Sequence, residues 1–176
     1  MSNLSIFDRS GSLPSPVTID DALVEFVETL DREVEMLATI RYRLIVLGAL
    51  AGADQGQSIP TAVRETEIAY EALRLLELVR GSVTVRLADE FNLGPLPRID
   101  ELAARASDGW SEILLDRRRT LIEAVTEIQG LAGALTSAMG RRAAMAEEAL
   151  ASIRADRGAT YGRAVPHEGV LVEGSI

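Results

Sequence analysis

One stripe of large apolar residues near the N-terminus constrains this chain more than any other feature. Apolar side chains recur there at alternating spacings of three and four, which predicts a long helix that buries one face in a coiled-coil-like contact. The stripe is Leu23, Phe26, Leu30, Leu37, Ile40, Leu44 and Leu47. Glu33 is the one polar residue in this register, and a single buried acid is more often paired with an arginine than catalytic. Thr18, with Asp20 and Asp21 behind it, predicts the start of the helix as a hydroxyl cap followed by acids.

Two further long helices follow from the same periodicity. Ser58 and Pro60 open the second, because proline is tolerated in the first turn of a helix. Its stripe is Thr66, Ala69, Leu73, Leu76, Val83, Leu87 and Phe91, interrupted by Arg80. We expect Asp108 to cap the third helix and Trp110 to close the bundle end against the linker 92–107. The third stripe is Trp110, Leu114, Leu121, Ile128, Leu131 and Leu135, continuing weakly through Met145, Ala149 and Ile153.

Glycines and prolines divide the chain. The turn ADQGQS follows the first helix, and NLGPLPR (92–98) is a firm break before a short helix in IDELAARA. Gly130, Gly133 and Gly140 each cost a helix roughly 1 kcal/mol relative to alanine, so we expect a bend, fray or hinge around 136–141. The predicted helices are 18–51, 59–91, 99–106 and 109–155, in a single helical domain over 18–156, between a flexible arm at 1–17 and a flexible tail at 157–176.

The predicted fold is all-α, because no strand pattern is found. The first two helices form an antiparallel hairpin, and the third must pack along it to hide all three stripes. The expected architecture is an elongated antiparallel three-helix coiled-coil-like bundle with a short linker helix and flexible termini. An apolar content of 47% with only 4% aromatic residues fits an ordered domain made of long helices.

Charge and composition narrow the classes of partner. A net charge of -9 repels nucleic acid and anionic membrane surfaces, so no nucleic acid is expected as a partner. The sequence contains no run of about 18 apolar residues, so we expect no membrane insertion. The N-terminus MSNLSIFDRSGSLPSPV does not resemble a secretory signal, and the chain has no cysteine, so we expect it in the cytoplasm.

The sequence offers no constellation for catalysis. His167 is the only histidine and cannot by itself form a triad or a two-histidine metal site, and no Glu-x-x-His signature of a di-metal bundle is present. The run Arg117–Arg119 fans out around a helix, with acids at helical spacings to pair with it. No phosphate-binding glycine loop is found. We expect no catalytic residue, no metal ion and no cofactor, and a binding module or adaptor rather than an enzyme.

The ordered motifs resemble a known family, the FlgN-type flagellar export chaperones, in particular the actinobacterial ones. The resemblance is carried by LVEFVETLDREVEMLATIRYRL, by RETEIAYEALRLLELVR with ADEFNLGPLPRIDELAARA, and by RRRTLIEAVTEIQGLAGAL with GRRAAMAEEALASIRADRGATYG. It covers about residues 18–163. The chain departs from the family at Leu135 and Thr136, where many members have an Asn-Arg pair.

This resemblance implies a cytoplasmic chaperone of the flagellar type III secretion system. Such chaperones bind hook-associated proteins of the FlgK and FlgL type through a C-terminal amphipathic helix and deliver them to the export apparatus. The partner-binding residues expected here are Met139, Arg142, Met145, Ala146, Ala149, Leu150, Ile153 and Tyr161. Tyr161 lies outside any predicted core. It is either a residue of the tail or a contact to the partner. The alternative is a structural coiled-coil or adaptor protein that homo-oligomerises without an export role, and a homodimer stays open in either case.

Overall fold

The computed structural model describes residues 18–53 and 55–161, with side chains as far as residue 154. All regular secondary structure in that part of the chain is helical, which confirms the all-α class. The helices are α1 (Ile19–Gly52), α2 (Ile59–Glu90), α3 (Ile99–Ala103) and α4 (Asp108–Tyr161), with a 3-10 turn at Gly56–Ser58 before α2.

The predicted cap at the start of α1 is confirmed. The backbone N–H of Asp21 donates to Thr18 Oγ1 at 3.2 Å, and the backbone N–H of Thr18 donates to Asp21 Oδ2 at 3.0 Å. This reciprocal pair satisfies two backbone donors that have no partner inside the helix. The hydrogen bonds from the Thr18 side chain and backbone lower the pKa of the Asp21 carboxyl. The start of α1 is therefore fixed by its own sequence.

The predicted apolar stripes account for most of the core in the described residues. Every member of the α1 stripe is buried, and so is Glu33. On α2, Leu73, Leu76 and Phe91 are only half-buried, while the other stripe residues are buried. One cluster joins side chains from all four helices, which shows that α3 contributes to the core rather than only linking α2 to α4. Its larger members are Leu23, Phe26, Leu30, Val83, Leu87, Leu102 and Leu114.

Ion pairs define the relative direction of α1 and α2. Glu25, Glu33 and Arg43 follow one another along α1, and their partners on α2 are Arg86, Arg80 and Glu65. The partners occur in reverse order along the chain, so the two helices are antiparallel. The predicted helical hairpin is thus present.

The part of α4 before residue 132 makes contacts to α1 in the same chain direction. Trp110 Nε1 donates to Asp20 Oδ1 at 3.0 Å, close to the start of both helices. Further along, Arg117 Nε lies 2.5 Å from Asp31 Oδ1, and Arg41 Nε lies 2.5 Å from Glu127 Oε1. Trp110 also packs, half-buried, against the core cluster together with Leu93 and Ile99 of the linker region, in the position expected for it. The finer description as a three-helix coiled-coil-like bundle stays a prediction.

The predicted helix boundaries agree with the structure to within one residue, except at the C-terminal ends of α3 and α4. The helix in the linker ends at Ala103 rather than 106. Asp108 is the first residue of α4 rather than its cap, because the carbonyl of Ser107 already accepts the helical hydrogen bond from the N–H of Ser111 at 2.8 Å.

The C-terminal part of α4 extends further than expected. The helix continues through 136–141, where we expected a bend, fray or hinge, and it ends at Tyr161 rather than near 155. A cost of roughly 1 kcal/mol for each glycine is spread over a long run of good helix formers, which explains why the glycines do not end the helix. The predicted tail therefore begins inside α4, while the arm 1–17 and residues 162–176 lie outside the described residues.

The chain divides into two compact units, one up to Leu131 and one from Ala132 onward. The helices α1, α2 and α3 and the start of α4 belong to the first unit. The second unit contains the remainder of α4. No helix in the described part of the chain is both long enough and apolar enough to cross a lipid bilayer.

Candidate partner-binding surface

The residues expected to bind a partner lie on the second unit, in the stretch of α4 from 132 to 161. The hydroxyl groups of Thr136 and Ser137 donate to the backbone carbonyls of Ala132 and Gly133, each at 2.9 Å. These bonds satisfy both hydroxyls within the helix. The polar residues near the glycines are therefore compatible with a continuous helix, and this backbone carries the candidate side chains.

The candidate surface is exposed and contains three large apolar side chains. The exposed fraction is 69% for Met145, 52% for Leu150 and 51% for Ile153. Every described side chain from 140 to 154 is exposed, including Ala146 and Ala149. Isolated exposed apolar residues are normal on proteins, but several that share one helix face indicate an interaction surface.

Helical geometry places these side chains on one face. At about 100° per residue, Met145, Ala149, Ile153, Ala146 and Leu150 fall within an arc of about 140°. Arg142, also exposed, lies within this arc, and half-buried Met139 lies within it as well. We call this arc the C-terminal apolar face, and we define it by Met139, Arg142, Met145, Ala146, Ala149, Leu150 and Ile153.

The other side of the same stretch mixes charged residues with alanine, including Ala144 and Ala151. Glu147 and Glu148 lie outside the C-terminal apolar face, and both are exposed. The stretch is therefore weakly amphipathic, because its large apolar residues lie on one side while alanine occurs on both. Such a face is shallow, and methionine adapts to neighbours of varied shape. It suits the binding of an apolar helix better than the enclosure of a small molecule, which requires a concave site.

Tyr161, the remaining candidate residue, is the last residue of α4. Its side chain lies outside the described side chains, so its predicted role as a partner contact stays a prediction. His167 lies outside the described residues altogether.

Other candidate sites in the first unit have structural explanations. Arg117 pairs with Asp31 and Asp116, Arg119 pairs with Asp116, and Arg118 Nε lies 3.9 Å from Asp100 Oδ1. The predicted pairing of the arginine run with acids is confirmed for Asp116, whereas Asp31 and Asp100 come from distant parts of the chain. The run is therefore part of the ion-paired surface of the first unit.

Glu33 is the acid in the first unit whose environment raises its pKa. Burial raises the pKa of Glu33, the hydrogen bond and charge of Arg80 lower it, and the nearby charge of Glu77 raises it. Burial of an acid beside an arginine is a common structural arrangement. Among the described residues, no group of three or more histidines, cysteines or acids could hold a metal ion.

A shallow groove in the first unit lies between α1, α2 and α4. Its volume is about 470 Å³. Its lining is mixed and includes the buried residues Leu37 and Ile128 and the exposed residues Arg74 and Glu77. The lining residues are Leu37, Tyr70, Leu73, Arg74, Glu77, Val125, Ile128 and Gln129. The groove brings together no nucleophile and base.

A second exposed apolar surface, on α2, was not predicted from the sequence. Ile68, Leu75 and Leu78 are each at least 60% exposed and lie on the side of α2 away from its buried stripe. Their spacing of seven and three was visible in the sequence. Only one apolar stripe was predicted for each helix, so a second stripe on the opposite side of α2 was not expected.

Comparisons with known proteins do not assign the chain to a family. No family model, curated protein or solved structure matches it.

Proposed function

We propose that this protein is a cytoplasmic export chaperone of the flagellar type III secretion system, which binds hook-associated proteins of the FlgK and FlgL type. The single observation that carries the proposal is the C-terminal apolar face, where Met145, Leu150 and Ile153 are each more than half exposed on an amphipathic helix. The resemblance to FlgN-type chaperones over residues 18–163 supports the same assignment. Components of the export apparatus would be the second class of partner.

The proposed chemistry is non-covalent pairing of helices. A hook-associated protein carries apolar helical segments that would assemble prematurely, and a chaperone covers them by laying an apolar helix face against them. A specific interface usually buries about 800 Å² on each partner. Because the face consists largely of alanine, with few large anchors, we expect an affinity that protects the substrate and still permits its release at the export apparatus.

The first unit would act as the folded base of the chaperone. Its core joins α1, α2, α3 and the start of α4, and we propose that its long helices form the coiled-coil-like three-helix bundle expected from the stripes. The chaperone role requires no catalytic residue, metal or cofactor, and we propose that the protein is not an enzyme.

Substitutions in the full chain test the proposed surface. The triple variant M145S/L150S/I153S removes the three large exposed apolar side chains of the face and keeps half-buried Met139. We expect at least a tenfold loss of affinity for purified hook-associated protein, which corresponds to about 1.4 kcal/mol. The matched control is A144S/E147S/A151S, which changes three residues outside the arc in the same stretch. Serine has a lower helix propensity than alanine or glutamate, so this control also weakens the helix. Equal binding by both variants and the original chain would contradict the proposal.

The alternative function is a structural coiled-coil or adaptor protein that homo-oligomerises without an export role. The exposed apolar residues of α2 favour self-association of the chain. This alternative predicts a stable oligomer in light scattering and no binding to hook-associated proteins. Binding of those proteins through the C-terminal apolar face would exclude it.

A further inference from the structure

The outward side of α2 carries large apolar residues at heptad spacing that no other described element covers. Ile68, Leu75 and Leu78 are 60%, 63% and 67% exposed, and Val85, also exposed, continues the spacing of seven, three and seven. This is the spacing of a two-helix seam. A helix of the first unit therefore presents one apolar stripe to the core and a second one to solvent.

Polar residues complete the same register. Arg64 and Glu71 occupy seam positions in the first half of the stripe, and Ser82 and Asp89 occupy seam positions in the second half. All four residues are exposed. We call the set of Arg64, Ile68, Glu71, Leu75, Leu78, Ser82, Val85 and Asp89 the α2 seam.

The charges of the α2 seam are complementary to a second α2 that runs in the opposite direction. When Leu75 of one copy lies opposite Leu78 of the other, Ile68 lies opposite Val85, and Glu71 lies opposite Ser82. The same register places Arg64 opposite Asp89 at both ends. A two-fold axis repeats each contact, as expected for a symmetric dimer.

A parallel arrangement has the opposite electrostatic character. In a parallel pair in register, Arg64 meets Arg64, Glu71 meets Glu71 and Asp89 meets Asp89. Like charges facing one another across an interface disfavour association. We propose that two copies of this chain associate through the α2 seam in antiparallel orientation.

The residues of this proposed dimer are separate from those of the C-terminal apolar face. Self-association through α2 can therefore be tested independently of the chaperone function. Loss of binding to hook-associated protein would not affect it, and a monomeric chain could still be a chaperone.

Sedimentation of the full-length chain over a range of concentrations tests the association. We expect a monomer–dimer equilibrium that L75E weakens at least tenfold, because the symmetric interface places the new charge in its centre twice. The matched control is I122E, which places the same charge at an exposed apolar residue of α4. Circular dichroism checks that both variants keep the helical content of the original chain. A chain that stays monomeric at all concentrations, or a dimer equally affected by both variants, would overturn the proposal and assign the seam to another occupant.

Charge exchange and cross-linking test the orientation. R64E should weaken the dimer, and the double variant R64E/D89R should restore it, because the opposite charges face each other again only in the antiparallel register. The chain contains no cysteine, so E71C and S82C introduce single thiols. A mixture of the two oxidised chains should give chiefly the mixed 71–82 disulfide. Predominant 71–71 and 82–82 disulfides, or no restoration by the double variant, would overturn the antiparallel arrangement.

Discussion

The carboxylate of buried Glu33 on α1 lies against the guanidinium of Arg80 on α2, with Arg80 Nε 2.8 Å from Oε1 and 3.1 Å from Oε2. Each of these residues interrupts an apolar stripe on its own helix. The two interruptions meet in the folded chain, so each polar group meets its partner inside the hairpin. A buried pair of this kind favours one register of α1 against α2, because a shift along the helix would leave Glu33 without a partner.

We expect removal of the arginine to cost more than neutralisation of the acid. R80A leaves the buried carboxylate of Glu33 without its cation and should lower the free energy of unfolding by about 1–3 kcal/mol. The cost is smaller than for a fully buried pair because the Arg80 side chain is 34% exposed. E33Q keeps the volume and a hydrogen-bond acceptor and should cost less than about 1 kcal/mol. Urea unfolding followed by circular dichroism measures both.

The double variant E33L/R80M provides the control. It replaces both charges by apolar side chains, and we expect it to be close to the original chain in stability or above it. If R80A were no more destabilising than E33Q, the electrostatic account of this pair would be wrong.

The raised pKa of Glu33 predicts a pH dependence with a definite sign. Burial raises this pKa above the ordinary value of 4.5, so the folded chain binds a proton at Glu33 at a pH where the unfolded chain does not. The stabilising contribution of Glu33 is therefore full below pH 4.5 and is lost as the pH rises through the folded pKa. We expect the free energy of unfolding of the original chain minus that of E33Q to decrease as the pH rises from 4.5 through the folded pKa. A difference that stays constant or increases would refute the prediction.

The cap of α1 gives a third prediction. T18A removes the hydroxyl that accepts from the N–H of Asp21, and it should lower the free energy of unfolding by about 1 kcal/mol. T18S keeps the hydroxyl and serves as the matched control. Thermal unfolding of the three chains compares them directly, and equal stability of T18A and T18S would show that the cap contributes nothing measurable.

The glycines in the second unit give a fourth prediction. Beyond the adjacent residues and the helix's own backbone, a methyl group at Gly133 or Gly140 would meet no atom within 4 Å. G133A/G140A should therefore stabilise the helical stretch by roughly 1 kcal/mol per site. A helix that is better formed before binding loses less entropy on binding. We therefore expect slower amide exchange over 132–154 and tighter binding of hook-associated protein. Weaker binding by this variant would indicate that the stretch must bend or unfold to bind.

Much of the first unit could be predicted from the sequence because its helices carry strong local signals. The α1 stripe identified seven buried residues in advance, and the cap at Thr18 follows from residue types alone. The pairing of Glu33 with Arg80 and of Arg117 with Asp31 was not predictable, because long-range pairing depends on how the helices pack. The meeting of Glu33 with Arg80 required the register of the hairpin, which the stripes alone leave undetermined.

The candidate site was predicted less completely. The exposed apolar residues Met145, Leu150 and Ile153 follow from the weak stripe after the glycines. The unbroken helix through 136–141 could not be predicted from the sequence. A glycine costs a helix about 1 kcal/mol, which is comparable to the stabilisation that neighbouring helix formers provide. The spacing of the α2 seam is visible in the sequence, but the sequence alone does not show which of the two apolar stripes on α2 faces the core.

Amide hydrogen exchange of the full chain, with and without a purified hook-associated protein, tests the central claim most directly. The chaperone account predicts that the bound partner slows exchange in peptides covering residues 139–154, where the C-terminal apolar face lies. The triple variant M145S/L150S/I153S should lose this protection, and A144S/E147S/A151S should keep it. Unchanged exchange over 139–154 at saturating partner, or protection found only in peptides outside this stretch, would contradict the account.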